Sequence, residues 1–488
     1  MKEQIKRERT KFSVLIFLFS IFFVSSLFIL NYALPPFQNP DEPMHFTAIM
    51  IDLKGEDRAQ EVEKEVLAYM DRHNWWRLVG LGRPAELPSK LIEVSFLTHN
   101  YPLQDLRVLL NRLLFYHKSM AAWLDLMGGK EMSLKRAYYF LRLTSAFFAF
   151  VSLCLIFFVW RRIGPLFFPK YQFDELSGQN LSFSFFLTLP VLMTAFLPQF
   201  LILSLAVTPD AFCLFLGCIF FASAINLFFG SKKILNAVVL SFVALIGLFT
   251  DRSVFLFLLL VFLCLLMSLK IKNLKQSLMI FIGVAFLILS GLYVLIYFFP
   301  QLIENSFSLM ATALKGGVEA IRQLFSFHAF ARHFLLLLAD SFLIRFGWMT
   351  FGVAKPVYLI WKFLILISAA GLIIFFGGIV KMAKGRSVLI KIVFLSLAAL
   401  AIQIVAIYAY YGRLGSLPQG RYLFPLILPL ILLLILGLNS FFSLIKRRFA
   451  LAGLIIILIL EFTLFNYVLW GNIIPVFHLT IQSPHPGI

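Results

Sequence analysis

The chain has 488 residues, 61% of them hydrophobic and only 14% charged, with 58 phenylalanines. Soluble globular proteins average roughly 45–50% apolar and about 25% charged residues, so composition excludes that class and points to an integral membrane protein. The formal charge of +19 does not argue for a nucleic-acid partner here, because Lys and Arg mark the cytoplasmic ends of membrane spans.

The start, "MKEQIKRERTK", is short and basic, and an apolar stretch follows from Phe12 to Leu34. It has about the 20 residues a helix needs to cross a ~30 Å hydrocarbon core, and no small-residue cleavage site closes it. Residues 1–34 therefore read as a cytoplasmic N-terminus and an uncleaved first transmembrane helix. Residues 35–137 hold most of the soluble character and read as a large first extracytoplasmic loop. Within it, "AQEVEKEVLAYMDRHNWWRLVG" is charge-laced and "LRVLLNRLLFYHKSMAAWLDLMGG" is amphipathic. Both predict helices lying along the membrane surface, with Trp75 and Trp76 suited to the interfacial belt.

Further spans are predicted at roughly 138–160, 181–206, 209–229, 234–250, 254–269 and 277–299, so that 138–299 carries spans two to seven. Residues 300–354 form a second extracytoplasmic segment, in which Trp348 reads as an interfacial anchor. Residues 355–488 carry spans eight to eleven, at roughly 356–380, 388–410, 423–444 and 450–471, and an extracytoplasmic C-terminus. The runs lack the alternation of a membrane β-barrel, so the expected fold is an all-α bundle of about eleven transmembrane helices. Arg161-Arg162, Lys232-Lys233, "KIKNLK", "KMAKGR" and "KRR" all fall on the side assigned to the cytoplasm. Cys154, Cys213, Cys218 and Cys264 lie in apolar runs and read as packing residues, with neither a disulfide nor a zinc site expected.

With that topology the outer face collects the polar groups. "LPPFQNPDEPMHF" supplies Asp41, Glu42 and His45 after the first span. "AVTPDAF" supplies Asp210, "FTDRS" supplies Asp251 and Arg252, and "YYGRLGSLPQGRYLFP" supplies Arg413, Gln419, Arg421 and Tyr422. Charged groups at the membrane are costly and tend to mark function. The carboxylates are suited either to a divalent cation such as Mg or Mn or to accepting a proton from an attacking hydroxyl. The arginines are suited to a phosphate. Each group also has a structural reading. Asp41-Glu42 and Asp210 stand beside prolines where carboxylates cap helices, Asp251-Arg252 reads as a local ion pair, and Arg413 and Arg421 as headgroup contacts. His99 and His117 lack metal-like spacing and are left out of the candidate set. No Walker or dinucleotide glycine pattern is present.

The ordered motifs resemble a bacterial polytopic family, the domain-of-unknown-function family 2142. "NPDEPMHF" is similar to its Pro-Asp-Glu-Pro-x-His-Phe signature, and "LPQGRYLFPL" to its late Gln-Gly-Arg-Tyr motif. "VTPDAF" is similar to its middle Asn-Pro-Asp element, with Thr208 in place of Asn, and "YYFLRLTS" to the Arg-containing opening of its second span. The later Pro-Pro-x-Tyr-Tyr stretch of many relatives has no counterpart in "LLNRLLFYHKSMAAW". That family looks like a branch of the GT-C glycosyltransferases. The resemblance implies a GT-C-like bundle in a bacterial cytoplasmic membrane, polyprenyl-phosphate sugar donors, and an extracytoplasmic acceptor. It also implies a first-loop acid that serves as base or metal ligand, a role carried to Asp41 first and Glu42 second. His45 is expected to orient the carboxylates or complete a metal shell. Asp210, Arg252, Arg413, Gln419, Arg421 and Tyr422 are expected to bind substrate. The rival expectations are a flippase or transporter of lipid-linked glycans and a surface-polysaccharide polymerase or ligase.

Overall fold

The computed structural model describes residues 21, 23–31, 34–39, 41–73, 75–78, 114–167, 180–230, 232–250, 257–268, 329–346, 351–352, 355–379, 387–414, 419–445 and 447–473. These are helical apart from loops and one short antiparallel pairing, Arg345 with Gly352 and Phe346 with Phe351. After the helical residues 23–31 come α1 (Glu42–Lys54), α2 (Ala59–Arg72), α3 (Trp75–Leu78) and α4 (Leu114–Leu126). Next are α5 (Leu134–Phe167), α6 (Asn180–Ala195), α7 (Pro198–Ser204), α8 (Pro209–Phe228), α9 (Lys233–Leu248) and α10 (Phe257–Ser268). Then follow α11 (Ala329–Ile344), α12 (Lys355–Ile379), α13 (Ser387–Leu414), a 3-10 turn at Gly420–Leu426, α14 (Ile427–Ile445) and α15 (Arg447–Val468).

Five stretches are long and apolar enough to cross a membrane: Leu134–Leu166, Pro209–Phe228, Tyr358–Gly377, Ser387–Tyr408 and Gly420–Leu444. Shorter apolar helices lie at Lys233–Gly247, Phe257–Ser268, Phe334–Leu343 and Ile455–Gly471. The span expected at 181–206 is broken in two, because Pro198 opens α7 and cannot continue the hydrogen bonding of α6. The span expected at 277–299 lies outside the described residues, as does most of the segment 300–354.

Burial separates central helices from lipid-facing ones. The spanning windows of α8 and α14 are 72% and 78% buried, against 22% for α12. On α12, Leu359, Phe363, Leu366 and Ile373 are exposed along one side, the pattern of a helix facing hydrocarbon chains. Its other side packs on α14 at close range. A Cβ on Gly371 would overlap the Gly437 carbonyl, and one on Gly437 would overlap Ser368. Ser368 Oγ donates to Leu434 O at 3.1 Å across the same contact. Small residues and interhelical hydrogen bonds are how apolar helices find each other where water supplies no driving force.

The described part of 35–137 forms a core of its own, rich in aromatic side chains, from Phe37, Phe46, Tyr69, Trp75 and Trp76 to Tyr116 and Tyr138. At 34 residues, α5 is about 50 Å long, longer than a bilayer is thick. Its first turns, at Ala137, Tyr138 and Leu141, belong to the aromatic core. Its later turns, from Ala146 to Ile163, belong to the bundle core. One helix thus fixes the segment before it to the bundle.

Candidate functional site at the head of the bundle

The chain leaves the first helix through Leu34 to Asn39, and this loop is held by three side chains from elsewhere. Arg142, on α5 and fully buried, donates to the carbonyls of Asn31, Leu34 and Pro35 at 3.2, 2.9 and 3.0 Å. The Phe37 amide donates to Tyr138 Oη at 2.9 Å, and Trp75 Nε1 donates to the Phe37 carbonyl at 2.8 Å. Phe37 has φ 65° and Asp41 φ 63°. Side chains with a Cβ rarely adopt this left-handed conformation, so two such residues within five positions mark a loop whose path is imposed by its surroundings.

Asp41 occupies the cap position of α1 without capping it through its side chain. Its carboxylate turns instead to Arg421, whose Nη2 donates to Asp41 Oδ2 across 380 sequence positions. Arg421 Nη1 lies 3.5 Å from Asp210 Oδ2, which also accepts from Thr208 Oγ1 at 2.7 Å. One arginine therefore joins two carboxylates from the starts of α1 and α8. Arg421 and Asp210 are nearly buried, at 7% and 8% side-chain exposure, whereas Asp41 keeps 34%. Of Asp41, Glu42 and Asp210, Asp41 is the most exposed.

Glu42 has a different place. It is wholly buried. Its Oε2 accepts from the Asn39 amide at 3.2 Å and Asn39 Nδ2 at 3.5 Å, its Oε1 accepts from the Val207 amide at 2.8 Å, and Arg142 Nε stands 4.0 Å away. Such bonding fastens the first loop to the segment before α8. Both Glu42 oxygens are committed to amides, Asp41 to Arg421, and the Nδ1 of His45 to His117. Among the described residues no three His, Cys, Asp or Glu side chains gather around a point.

His45 sits one turn into α1, and its Nδ1 lies 3.0 Å from Nε2 of His117 on α4. Burial, followed by the positive field of Arg421, pushes the His45 pKa down to about 3. His117 is also pushed well below its ordinary value, by burial and then by His45. Sequence reasoning passed over His117 because it looked for ligand spacing. The signal was elsewhere: Tyr116, His117, Met120, Ala121 and Leu124 all fall on the buried face of α4, so a titratable ring sits on the face that must be covered.

The late motif reaches the site through the 3-10 turn. Gly420 N donates to Ser341 Oγ at 2.6 Å, and a Cβ on Gly420 would overlap the backbone of Phe342. Arg421 stacks over the Tyr422 ring, 5.3 Å from its centroid, and Gln403 Nε2 donates to the Tyr422 carbonyl at 2.9 Å. Gln419 caps the turn, and its Oε1 is buried without a partner among the described residues. The structure thus brings together Asp41, Glu42, His45, Asp210, Arg421 and Tyr422, with Gln419 adjoining. Arg252 lies outside the described residues, and Arg413 lies near the end of α13 with its side chain outside the description. The four cysteines are free thiols, three of them buried. Compared with protein-family models, curated proteins and solved structures, the chain finds no match.

Proposed function

We propose that this protein is a membrane glycosyltransferase of the GT-C kind, moving a sugar from a polyprenyl-phosphate donor to a cell-envelope glycan, lipid or protein. In this reading the bundle has about eleven spans in a bacterial cytoplasmic membrane, its N-terminus is inside, and the Asp41 cluster is on the extracytoplasmic face. The observation that carries the reading is the junction of Asp41 with Arg421. A partly exposed carboxylate and a guanidinium meet at the head of an apolar bundle, where a lipid-borne phosphate and a polar acceptor can both arrive. The acid of the first family-like motif and the arginine of the last are the same two groups that pair, so the resemblance points to the same site.

The chemistry follows from those two side chains. The Asp41 carboxylate accepts the acceptor hydroxyl proton as that oxygen attacks the anomeric carbon. The bond from the anomeric carbon to the phosphate oxygen breaks with its electron pair, and polyprenyl phosphate leaves. Arg421 meets the charge that grows on the leaving phosphate, while Asp210 and Thr208 hold its other side. Glu42 and Arg142 fix the loop that carries Asp41.

The test uses purified protein in detergent with a panel of radiolabelled polyprenyl-phosphate sugars and membrane lipids as acceptors. Asp41→Asn is expected to lower transfer by at least about 100-fold in a protein that still unfolds cooperatively, since Asp210 continues to meet Arg421. Transfer that survives in Asp41→Asn would remove the proposed base. Absence of transfer, combined with movement of lipid-linked glycan across liposomes, would replace the enzyme by a flippase.

A further inference from the structure

His45 and His117 are 72 positions apart in the chain and share one short contact, Nδ1 to Nε2 at 3.0 Å. His45 is 4% exposed and His117 not at all. Their rings are tilted at 41° with centroids 5.3 Å apart, and Tyr116 stands edge-on to His45 and packs beside His117. Two buried neutral imidazoles each carry one N–H, so one ring donates and the other accepts.

The two arrangements differ at the far side of His117. If His45 Nδ1 donates, the proton of His117 sits on its Nδ1. That atom is buried and has no hydrogen-bond partner among the described residues. Leaving a buried donor without an acceptor carries its full desolvation cost, and orphaned N–H groups are rarer in folded proteins than under-satisfied acceptors. If His117 Nε2 donates, only a lone pair is left at Nδ1, and His45 carries its proton on Nε2.

We infer that His117 is a positioning residue that holds His45 as the Nε2–H tautomer. The functional consequence rests on the sugar-transfer reading given above. His45 stands one turn after Asp41 on α1 and feels the charge of Arg421, the partner of Asp41. Held this way, His45 is a neutral hydrogen-bond donor beside the base. It is suited to an oxygen that gains negative charge, as the phosphate oxygen does when the sugar departs. It is unsuited to removing a proton, which leaves that step to Asp41. The same contact uses the Nδ1 lone pair and so takes that nitrogen out of any metal shell.

The experiment records the ring nitrogens of the full chain in detergent after ¹⁵N-histidine labelling, using single His→Gln variants for assignment. Bare and protonated nitrogens give well-separated shifts, so the tautomer is read whether or not a sugar donor is known. His45 is expected to show a bare Nδ1 and a protonated Nε2. In His117→Phe its signals should become those of a mixture. In His117→Gln, whose amide can still donate, the wild-type pattern should persist. If the transfer reaction is found, kcat should fall about tenfold in His117→Phe with little change in KM for the donor. His117→Gln should recover most of that loss. A protonated Nδ1 in the wild type overturns the inference, and so does a His45 pattern unchanged in His117→Phe. Zn²⁺ that shifts both rings together would also overturn it, because a bridging cation needs both lone pairs. Failure of sugar transfer with the expected tautomer would count against the functional reading alone.

Discussion

The two cores of the molecule are held by different means. In the bundle, leucine, isoleucine, phenylalanine and alanine dominate, and the closest approaches are backbone against backbone, at Gly371 with Gly437 and at Gly217 with Pro425. In the first inter-span segment the core is aromatic, and the decisive contacts are side-chain donors aimed at loop carbonyls. The difference follows from the backbone each must accommodate. A helix satisfies its own hydrogen bonds, so the bundle needs only shape. The stretch Leu34–Asn39 has no such ladder, and its buried carbonyls need Arg142 and Trp75.

Substitutions at those supports test the contrast, beginning with the largest effect. Arg142→Met leaves two loop carbonyls and that of Asn31 at the preceding helix end without their donor, and the buried Glu42 without its nearest cation. A loss of about 3–5 kcal/mol is expected, read as a lower melting temperature in detergent and faster amide exchange around Phe37. An unchanged exchange rate there would mean that the loop is held by its aromatic packing alone. In the bundle, Gly437→Val forces α12 and α14 apart, with an expected cost of about 1–3 kcal/mol. Its exchange signature should fall on those two helices and spare the loop.

Acid should also distinguish the two regions. The buried His45 pKa lies near 3, against 6.5 for an unperturbed ring, so below pH 6.5 the unfolded chain binds a proton that the folded one does not. Stability is then full above about pH 6.5 and falls as pH drops toward 3, with a slope approaching 1.4 kcal/mol per pH unit for this group. His117 adds to the slope in the same sense. Chemical denaturation between pH 7 and 4 should show the loss, and His45→Gln should reduce it. The smallest effect is expected at Glu461, which is buried on α15 with neither carboxylate oxygen partnered among the described residues. Glu461→Met should change stability by no more than about 1 kcal/mol, and toward greater stability. A large loss would show that the carboxyl makes a contact essential to the bundle.

Much of the bundle was legible in the sequence, because a lipid-facing helix must be continuously apolar. The stretches at 209–228 and 387–408 stand out by hydropathy alone. The break before Pro198 was not anticipated, since the run on either side stays apolar and only the proline marks it. At the site, Asp41 and Arg421 were both visible as charges beside helix breakers, but their pairing was not, because nothing local links residues 380 positions apart. In "PDEP" Asp41 and Glu42 were assigned the same role, Asp41 first and Glu42 second. Their roles separate only in three dimensions, where one side chain faces amides and the other an arginine. Arg142 was visible only through a family-like motif, as a charge at the opening of a span, and its part in holding the loop appears only once the preceding chain folds back over α5.

The length of α5 carries a further consequence. Tyr138 and Arg142 stand on the same rigid rod that is embedded further along by Leu153, Ile156 and Trp160. The height of Arg142 and Tyr138 above those turns is therefore set by counting residues, as on a ruler. One extra residue between Ala149 and Leu153 would turn the upper end by about 100°, carrying Arg142 away from the loop it holds. Seven extra residues would nearly restore the bearing but lift Arg142 by about 10 Å, out of step with the Val207 and Arg421 contacts that hold the same loop to the rest of the bundle. The chain thereby ties the placement of the loop that carries Asp41 to the length of one apolar helix.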